Sequence, residues 1–315
     1  MRLGLLSTAR INDALLKAPP EEVEIAAVAS RDGARAQAYA REHGIEHSHG
    51  SYEALLADDG IDAVYIPLPN GMHHEWTMKA IEAGKHVLVE KPYSRRAAEV
   101  EEAWDAAERA GLVVMEAFMW RHHPQAAAAR SLVEEGAIGR LRDIRTTFSF
   151  PLTDLTNIRM AADLDGGALM DVGCYCISGA RLLGGEPEHL FGEQVVGPTG
   201  VDVDFYGTLR FPNDVVAQFD ASFTLPERQR LEAVGEEGTL VLEAPWRADW
   251  GGRVLVNGQP VDVPAADPYT LELRNFAAAI AGEGEPLLGR EDALQQARVI
   301  EALYRSAESG TTVGL

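Results

Sequence analysis

The sequence predicts an α/β protein with two domains. Residues 1–120 are expected to form a doubly wound parallel sheet, and residues 121–315 an α+β domain with a large, mostly antiparallel open sheet. Over the first domain, strands that are apolar throughout alternate with helical stretches, which is typical of a parallel sheet covered on both faces. Over the second, apolar and polar residues alternate within longer segments, as in hairpins with one solvated face. A length of 315 residues suits two domains.

The N-terminal domain is a series of alternating strand and helix patterns. The apolar runs that predict strands are RLGLLS, VEIAAVASR, IDAVYIPLPN, HVLVEKP and LVVMEAF. The helical patterns between them are ARINDALLKA, DGARAQAYAREHG, SYEALLADDG, GMHHEWTMKAIEAG and RRAAEVEEAWDAAERAG. Gly44 and Gly84 stand where helices commonly end in a left-handed residue.

The C-terminal domain begins with a helical pattern, PQAAAARSLVEEG. Its strand patterns are LRDIRTTFSF, FYGTLRFPNDVVAQFDASFT, RLEAVGEEGTLVLEA and GRVLVNGQPVDVP. Asn257-Gly258 is the clearest hairpin turn, because both residues tolerate positive φ. Two helices, near 270–282 and 290–309, complete the predicted domain.

Composition excludes several classes of function. The net charge of −21 argues against binding of nucleic acid through a broad basic face. No apolar run approaches the roughly 20 residues that a membrane span requires, and no signal-type cleavage site follows the first strand. Cys174 and Cys176 are too close for a useful disulfide, and no Cys/His grouping has the spacing of a zinc site. We therefore expect a cytoplasmic protein with no metal and no membrane partner.

The turn after the first strand matches a dinucleotide-binding fingerprint in part. Gly4-x-Leu6-x-x-Ala9 overlays G-x-G-x-x-G/A between a strand and a helix, with Leu6 in place of the second glycine. Ser7 and Thr8 offer hydroxyl and backbone N–H donors there, and Arg10 follows directly. The alternative is an ordinary strand-to-helix turn.

The end of the second strand favours NADP over NAD. An NAD-binding chain places an acidic residue there for the ribose 2′-hydroxyl, whereas this chain has Ser30-Arg31 before Asp32. A guanidinium pairs well with a 2′-phosphate. The alternative is that Ser30 only caps the helix that follows.

These segments carry a resemblance to a known family. AVYIPLPNGMHHEWTMKAIEAGKHVLVEKP, together with GGALMDVGCYCISGARLLGGEP, resembles the Gfo/Idh/MocA oxidoreductases, named for glucose–fructose oxidoreductase and inositol dehydrogenase. EAFMWRHHPQ and NIR are similar to the branch of dimeric dihydrodiol dehydrogenase and NADP-dependent xylose dehydrogenase. The resemblance covers essentially the whole chain and implies an N-terminal Rossmann domain.

The resemblance implies a catalytic role for Lys91. This residue ends a buried strand and precedes Pro92, and open α/β sheets bind ligands at the carboxyl ends of their strands. An ammonium beside a substrate hydroxyl favours its alkoxide-like form. The family commonly holds the peptide before this proline in cis, which would fix where Lys91 points. The alternative is an ordinary surface lysine.

Asp171 and Tyr175 complete the predicted catalytic set. They lie four positions apart, so on a helix they share one face. The family places histidine or tyrosine at the later position as proton donor or acceptor, and this chain has Tyr175. A cation such as Lys91 nearby would bring the pKa of the phenol closer to neutrality. In this catalytic set, Asp171 would orient Lys91 or bond a substrate hydroxyl. The alternative for Tyr175 is a core tyrosine with its hydroxyl satisfied.

The resemblance also implies further binding residues. Segments lining the cofactor are matched by Pro67, Leu68, Pro69, Asn70, His73 and Glu90. The rim of the substrate pocket is matched by Trp120, Arg121 and Arg159. Asn70 would alternatively cap a helix, and each rim residue would alternatively be structural. His73-His74 lacks the carboxylate or cysteine pattern that a metal site requires, so no metal is predicted.

The predicted function is NADP(H)-dependent hydride transfer to or from a sugar or cyclic polyol. The alternatives are a trans-dihydrodiol dehydrogenase and a non-catalytic NADP-binding sensor. The open face of the antiparallel sheet suits assembly, and the family pairs or tetramerises through it, so a dimer is expected.

Overall fold

A computed structural model describes residues 1–248 and 251–315, which form two compact units. The first comprises Met1–Met119 with Pro268–Leu294, and the second comprises Trp120–Asp267 with Gln295–Leu315. The segment from Pro268 to Leu294 therefore groups with the first unit, although it follows most of the second unit in sequence. None of the described helices is both long and apolar enough to cross a bilayer.

The described residues of the first unit contain a six-stranded parallel sheet. Its strands are β1 (Arg2–Leu5), β2 (Glu24–Ala29), β3 (His47–His49), β4 (Ala63–Ile66), β5 (His86–Glu90) and β6 (Val114–Ala117). Their order is β3-β2-β1-β4-β5-β6, with every neighbouring pair parallel. The direction of winding reverses between β1 and β4, and doubly wound sheets bind ligands outside the carboxyl ends of the strands at such a point. The predicted parallel sheet is confirmed.

Helices connect these six strands as the sequence pattern predicts, and further helices follow them in the chain. In the described residues they are α1 (Asn12–Lys17), α2 (Gly33–His43), α3 (Tyr52–Leu56), α4 (His73–Glu82), α5 (Ala97–Ala110), α6 (Pro124–Glu134), α7 (Cys174–Gly184), α8 (Pro268–Ile280) and α9 (Arg290–Ser309). Gly44 ends α2 with a φ of 69°, and Gly84 follows α4 with a φ of 72°. Both glycines therefore have the left-handed conformation that the sequence predicts.

The second unit contains a nine-stranded mixed sheet in its described residues. Its strands are β7 (Leu141–Ser149), β8 (His189–Val196), β9 (Asp202–Arg210), β10 (Val216–Ser222), β11 (Arg228–Gly235), β12 (Thr239–Leu242), β13 (Val254–Val256), β14 (Gln259–Val261) and β15 (Val313–Gly314). The order is β14-β13-β12-β11-β7-β10-β9-β8-β15. All neighbouring pairs are antiparallel except β7 and β10, which run parallel. The predicted, mostly antiparallel sheet is confirmed.

One face of this sheet is covered and the other is open. Helix α7 packs against β7 and β10. On the open face, Phe191 and Tyr206 are exposed, and a shallow groove of about 610 Å³ runs between the side chains of β7 to β11. The predicted Asn257-Gly258 turn joins β13 to β14, with φ values of 51° and 75°.

Candidate functional site

In the first unit, the predicted cofactor residues follow the carboxyl ends of four adjacent strands, β2, β1, β4 and β5. At the end of β1, the Leu6 side chain is fully buried and its backbone N–H donates to the Tyr65 carbonyl at 2.9 Å. A Cβ on Gly4 would lie 2.7 Å from Leu55 Cδ2. Gly4 therefore permits close packing beneath the turn, and Leu6 turns its side chain into the core.

The turn from Leu6 to Ile11 is longer than the sequence pattern predicts, because α1 begins at Asn12 and not near Ala9. The buried Asn12 side chain donates from Nδ2 to the Ser7 carbonyl at 2.8 Å, which fixes the turn from within. Ser7 Oγ accepts from the Ala9 N–H at 3.2 Å. Within the described residues the Thr8 N–H has no acceptor. The turn thus presents loop N–H groups, not the first turn of a helix.

The residues after β2 leave a guanidinium unpaired. Ser30 is buried, and its Oγ accepts from the Asp32 N–H at 3.2 Å. Asp32, and not Ser30, is the N-cap of α2, since its carboxylate accepts from the Ala34 N–H at 2.9 Å. The side chain of Arg31 is exposed and has no carboxylate partner among the described residues.

Arg10, at the neighbouring turn after β1, is also exposed without an ion-pair partner in the described part of the chain. Two unpaired arginines at adjacent strand ends are notable in a chain with a net charge of −21. Guanidinium groups bind phosphate in a bidentate manner. This donor set fits the 2′-phosphate of NADP.

In the segment after β4, the side chains of the predicted cofactor residues are buried or half-buried. Pro67 and Leu68 are buried, and Asn70 opens a short 3₁₀ turn over Asn70–Met72. The N-cap position of α4 is held by Met72, so the alternative role of Asn70 as the cap of this helix is wrong. Asn70 itself is half-buried.

His73 ties two loops together. It is fully buried, with Nε2 at 2.8 Å from the Leu68 carbonyl and Nδ1 at 3.0 Å from the Pro92 carbonyl. Burial is the largest influence on this imidazole and lowers its pKa, so the neutral ring donates to one of the two carbonyls. The family resemblance implies that His73 lines the cofactor. In the structure its ring is enclosed between the loops that follow β4 and β5.

Lys91 is held at its backbone. The Lys91-Pro92 peptide is cis, as the family resemblance implies. The Lys91 N–H donates to Glu90 Oε2 at 3.3 Å, while Glu90 Oε1 accepts from the Tyr65 hydroxyl at 2.5 Å. Burial, and then the charge of Glu90, raise the pKa of Tyr65 well above its ordinary value, so Tyr65 remains a donor. Lys91 is half-buried at the end of β5.

In the second unit, Arg159 and Asp171 form an ion pair. Arg159 Nε lies 2.6 Å from Asp171 Oδ2, and the two side chains are 42% and 16% exposed. Asp171 belongs to a π-helical turn, Leu169–Gly173, that leads into α7. π-Helical turns interrupt α-helices most often at functional sites. The pair therefore joins a predicted rim residue to a predicted catalytic residue.

Tyr175 lies in the first turn of α7, half-buried against aromatic rings. Its ring centroid is 5.4 Å from that of Phe148 in a T-shaped arrangement and 5.9 Å from that of Trp246. Neither Phe148 nor Trp246 was predicted as a neighbour of Tyr175 from the sequence. Phe148 alternates with polar residues along β7, a signal that would have placed it on one face of the sheet. Trp246 follows β12 and carries no local signal of this contact.

Trp120 is not a rim residue in this structure. It is 0% exposed, and its ring packs edge-on against Trp246 at 5.0 Å between centroids. A buried indole cannot offer its face to a sugar, so the prediction of a rim role is corrected to one of core packing. Arg121 is half-buried and lies 3.4 Å, from Nη1, from the hydroxyl of Ser178, one turn beyond Tyr175 on α7.

The chain matches two family models. Residues 4–118 match an oxidoreductase family model with an NAD-binding Rossmann fold. Residues 126–241 match the GFO/IDH/MocA C-terminal domain.

Relatives of known or assigned activity match the chain along most of its length. D-xylose 1-dehydrogenase (NADP(+)) 2 of Haloferax volcanii is 40% identical, covering 100% of both chains. Trans-1,2-dihydrobenzene-1,2-diol dehydrogenase of Xenopus laevis is 30% identical, covering 87% of this chain and 83% of that one. The crystal structure of KijD10, a 3-ketoreductase of Actinomadura kijaniata in complex with NADP and TDP-benzene, has a TM-score of 0.89 and 32% identity over 97% of each chain. The two matching family models and the relatives that match most of the chain show that this protein belongs to the GFO/IDH/MocA oxidoreductase family.

Proposed function

We propose that the protein is an NADP(H)-dependent oxidoreductase that moves a hydride between nicotinamide and a CH–OH or C=O carbon of a sugar or cyclic polyol. One observation carries the proposal. Lys91 directly follows strand β5 of a Rossmann sheet, its backbone N–H donates to Glu90, and it lies at the carboxyl edge where such sheets bind ligands. The activities named for the relatives from Haloferax volcanii and Actinomadura kijaniata support the substrate class.

NADP is the proposed cofactor, because Arg31 and Arg10 have no carboxylate partners in the described chain and suit a 2′-phosphate. Bound NADP supplies the hydride chemistry at its nicotinamide ring. The Thr8 N–H, in the turn after β1, would donate to the pyrophosphate, whereas the N–H groups of Leu6 and Ala9 already donate to the Tyr65 carbonyl and to Ser7 Oγ. NAD lacks the 2′-phosphate, so it is expected to bind more weakly.

Each polar residue has a distinct proposed role in the reaction. In the oxidative direction, Tyr175 takes the proton of the substrate hydroxyl, and Lys91 stabilises the alkoxide-like oxygen. The substrate carbon then loses its hydride to nicotinamide and becomes a carbonyl carbon. Asp171, oriented by Arg159 at 2.6 Å, bonds a further substrate hydroxyl. Reduction follows the same steps backwards.

The open sheet face is proposed as the surface through which two copies pair. Phe191 and Tyr206 are exposed there beside the groove of about 610 Å³, and exposed apolar groups rimmed by polar ones mark interaction surfaces. Cytoplasm is the proposed compartment, since Cys174 and Cys176 are both buried free thiols. Sedimentation of the wild type and a Phe191→Glu variant tests the pairing, and a monomeric wild type would contradict it.

The activity is tested by mixing the purified protein with NADP or NAD and a panel of pyranoses that includes xylose and glucose. Reduced-nicotinamide absorbance should rise with NADP and an aldose. The signal should fall at least about 100-fold in Lys91→Ala and in Tyr175→Phe, since general acid–base groups contribute about 10²- to 10⁴-fold. Two matched controls, Lys17→Ala on an exposed helix end and Tyr52→Phe in α3, should keep wild-type turnover.

A second candidate is a trans-dihydrodiol dehydrogenase, which the relative from Xenopus laevis favours. A dihydrodiol in the same panel distinguishes the two: a preference for it over every sugar would replace the sugar assignment. Tight binding of NADPH without turnover on any substrate would contradict an enzymatic role and favour a sensor.

A further inference from the structure

A buried glutamate on α8, Glu272, is close enough to Glu90, the carboxylate that holds Lys91, for the charge of Glu90 to act on it. Glu272 is 1% exposed, and its Oε1 has no hydrogen-bond partner among the described residues. Carboxylates are rarely buried without a donor, because the charged form loses its hydration with no compensation. Packing alone therefore does not account for a glutamate at this position.

Glu90 accepts two hydrogen bonds in this region. The Tyr65 hydroxyl donates to Glu90 Oε1, and the Lys91 N–H donates to Glu90 Oε2. Glu272 accepts a hydrogen bond from no donor within the described residues. Glu90 is half-buried and Glu272 fully buried. Of two such neighbouring carboxyls, the one with donors is stable as an anion, and the buried one without donors is stable as a neutral acid.

The charged and titratable groups that face Glu272 agree with this distribution. Glu90 on β5 acts on it electrostatically, and burial followed by the charge of Glu90 raises the pKa of Glu272 well above its ordinary value. Tyr65 on β4 and Tyr269 on α8 itself are the other titratable groups in the cluster, and the charges of Glu90 and Glu272 both act on Tyr65. A second anion at Glu272 would need a cation nearby, and no cation is among the groups that act on Glu272.

We propose that Glu272 is a positioning residue that carries the proton of this carboxyl pair, so that Glu90 remains the single carboxylate, fixed between the Tyr65 hydroxyl and the Lys91 backbone. A second anion beside Glu90 would repel it and loosen its bond to the Lys91 N–H. The neutral acid removes that repulsion and keeps water away from Glu90. The role of Glu272 in turnover rests on the proposed function of Lys91, whereas its protonation does not.

The protonation state is tested without turnover. Infrared spectra of the wild type at neutral pH should contain the C=O band of a protonated carboxylic acid, and this band should be absent from Glu272→Gln and from Glu272→Met. Two variants are used because either substitution alone could prevent folding. A wild type without the band, or variants that retain it, would overturn the proposal.

The pH dependence of unfolding gives a second readout. The native state keeps a proton that the unfolded chain releases above about pH 4.5, so the unfolding constant of the wild type should rise with pH. Relative to Glu272→Gln, that rise should be up to about tenfold per pH unit. The exposed Glu283→Gln variant serves as the matched control and should show no such difference. A pH-independent ratio for Glu272→Gln would contradict a protonated Glu272.

Measurements of kcat and KM distinguish a positioning role of Glu272 from a role in packing alone. Glu272→Ala admits water beside Glu90, and we expect kcat to fall about tenfold or more with KM for NADP within about twofold, because small displacements of catalytic groups are costly. Glu272→Gln should restore kcat. An unchanged kcat in Glu272→Ala, or a tenfold loss in Glu272→Gln, would overturn the positioning role. Continued activity of Lys91→Ala would instead refute the proposed function and leave the infrared result intact.

Discussion

Removing the Tyr65 hydroxyl should loosen Glu90 and, through it, the backbone position of Lys91 at the end of β5. Tyr65 is fully buried in β4, and its hydroxyl donates to Glu90 Oε1 at 2.5 Å. In Tyr65→Phe, Glu90 loses this donor and keeps the Lys91 N–H, whose bond at 3.3 Å is long. A hydrogen bond to a charged group is worth about 1.5–3 kcal/mol, and an unsatisfied buried acceptor is costly.

The expected loss of unfolding free energy is thus about 2 kcal/mol, which corresponds to a Tm lower by roughly 4–8 °C. Turnover should fall about tenfold with KM for NADP nearly unchanged, because the change displaces Lys91 and not the groups that hold the phosphates. The assays are thermal unfolding and steady-state kinetics under identical buffer conditions.

A matched control is Tyr52→Phe, since Tyr52 is also buried but its hydroxyl has no hydrogen-bond partner in the described structure. This variant should stay within about 0.5 kcal/mol of the wild type. If Tyr65→Phe matched the wild type in both Tm and kcat, the account of Glu90 as the anchor of Lys91 would be refuted.

Three further perturbations test other parts of the structure. Arg31→Ala should raise KM for NADP about 10- to 100-fold, the equivalent of one charged phosphate contact, while KM for NAD stays within about twofold; equal effects on both cofactors would sink the 2′-phosphate assignment. Gly167→Ala should cost more than about 2 kcal/mol by urea denaturation, because φ is 126° there and a Cβ would lie 2.2 Å from Asp202 Oδ1. Gly44→Ala, at a φ of 69° and a ψ of 26° with open space around it, should cost about 1 kcal/mol, and equal losses would count against the steric argument. Burial, and then Arg121, lower the pKa of His122 to about 3, so the folded state excludes a proton that the unfolded state binds below about pH 6.5, and stability should decline as pH falls from 6.5 towards 3. His122→Gln should lessen that decline by up to about 2 kcal/mol at pH 5; a parallel decline in both proteins would show that His122 does not cause it.

The sequence was most informative where structure depends on local pattern. Apolar runs separated by helical stretches predict a parallel sheet because its strands are buried on both faces, and five of the six described strands follow that rule. The sixth, β3 (His47–His49), is polar and lies at the edge of the sheet, so no apolar run predicted it. The Asn257-Gly258 turn was readable because its backbone has positive φ at both residues. The family resemblance, and not periodicity, supplied the roles of Lys91, Asp171 and Tyr175, which remain predictions.

Contacts between distant segments were not readable. Trp120 is fully buried because Trp246 packs on it, and 125 residues separate the two. Nothing near Glu272 in the sequence indicates that this residue of α8 lies within the electrostatic influence of Glu90 on β5. The turn after β1 is longer than expected, since a hydrogen bond from Asn12 to the Ser7 carbonyl stabilises a loop where the apolar pattern suggested helix.

The central claim is that this chain moves a hydride between a sugar carbon and NADP. The most direct test is to incubate the wild-type protein with NADP and D-xylose carrying deuterium at every carbon, then to analyse the NADPH by mass spectrometry. The account predicts one deuterium in each NADPH formed, with the label lost when Lys91→Ala replaces the wild type. NADPH formed without deuterium, or the same labelled product from Lys91→Ala, would contradict it.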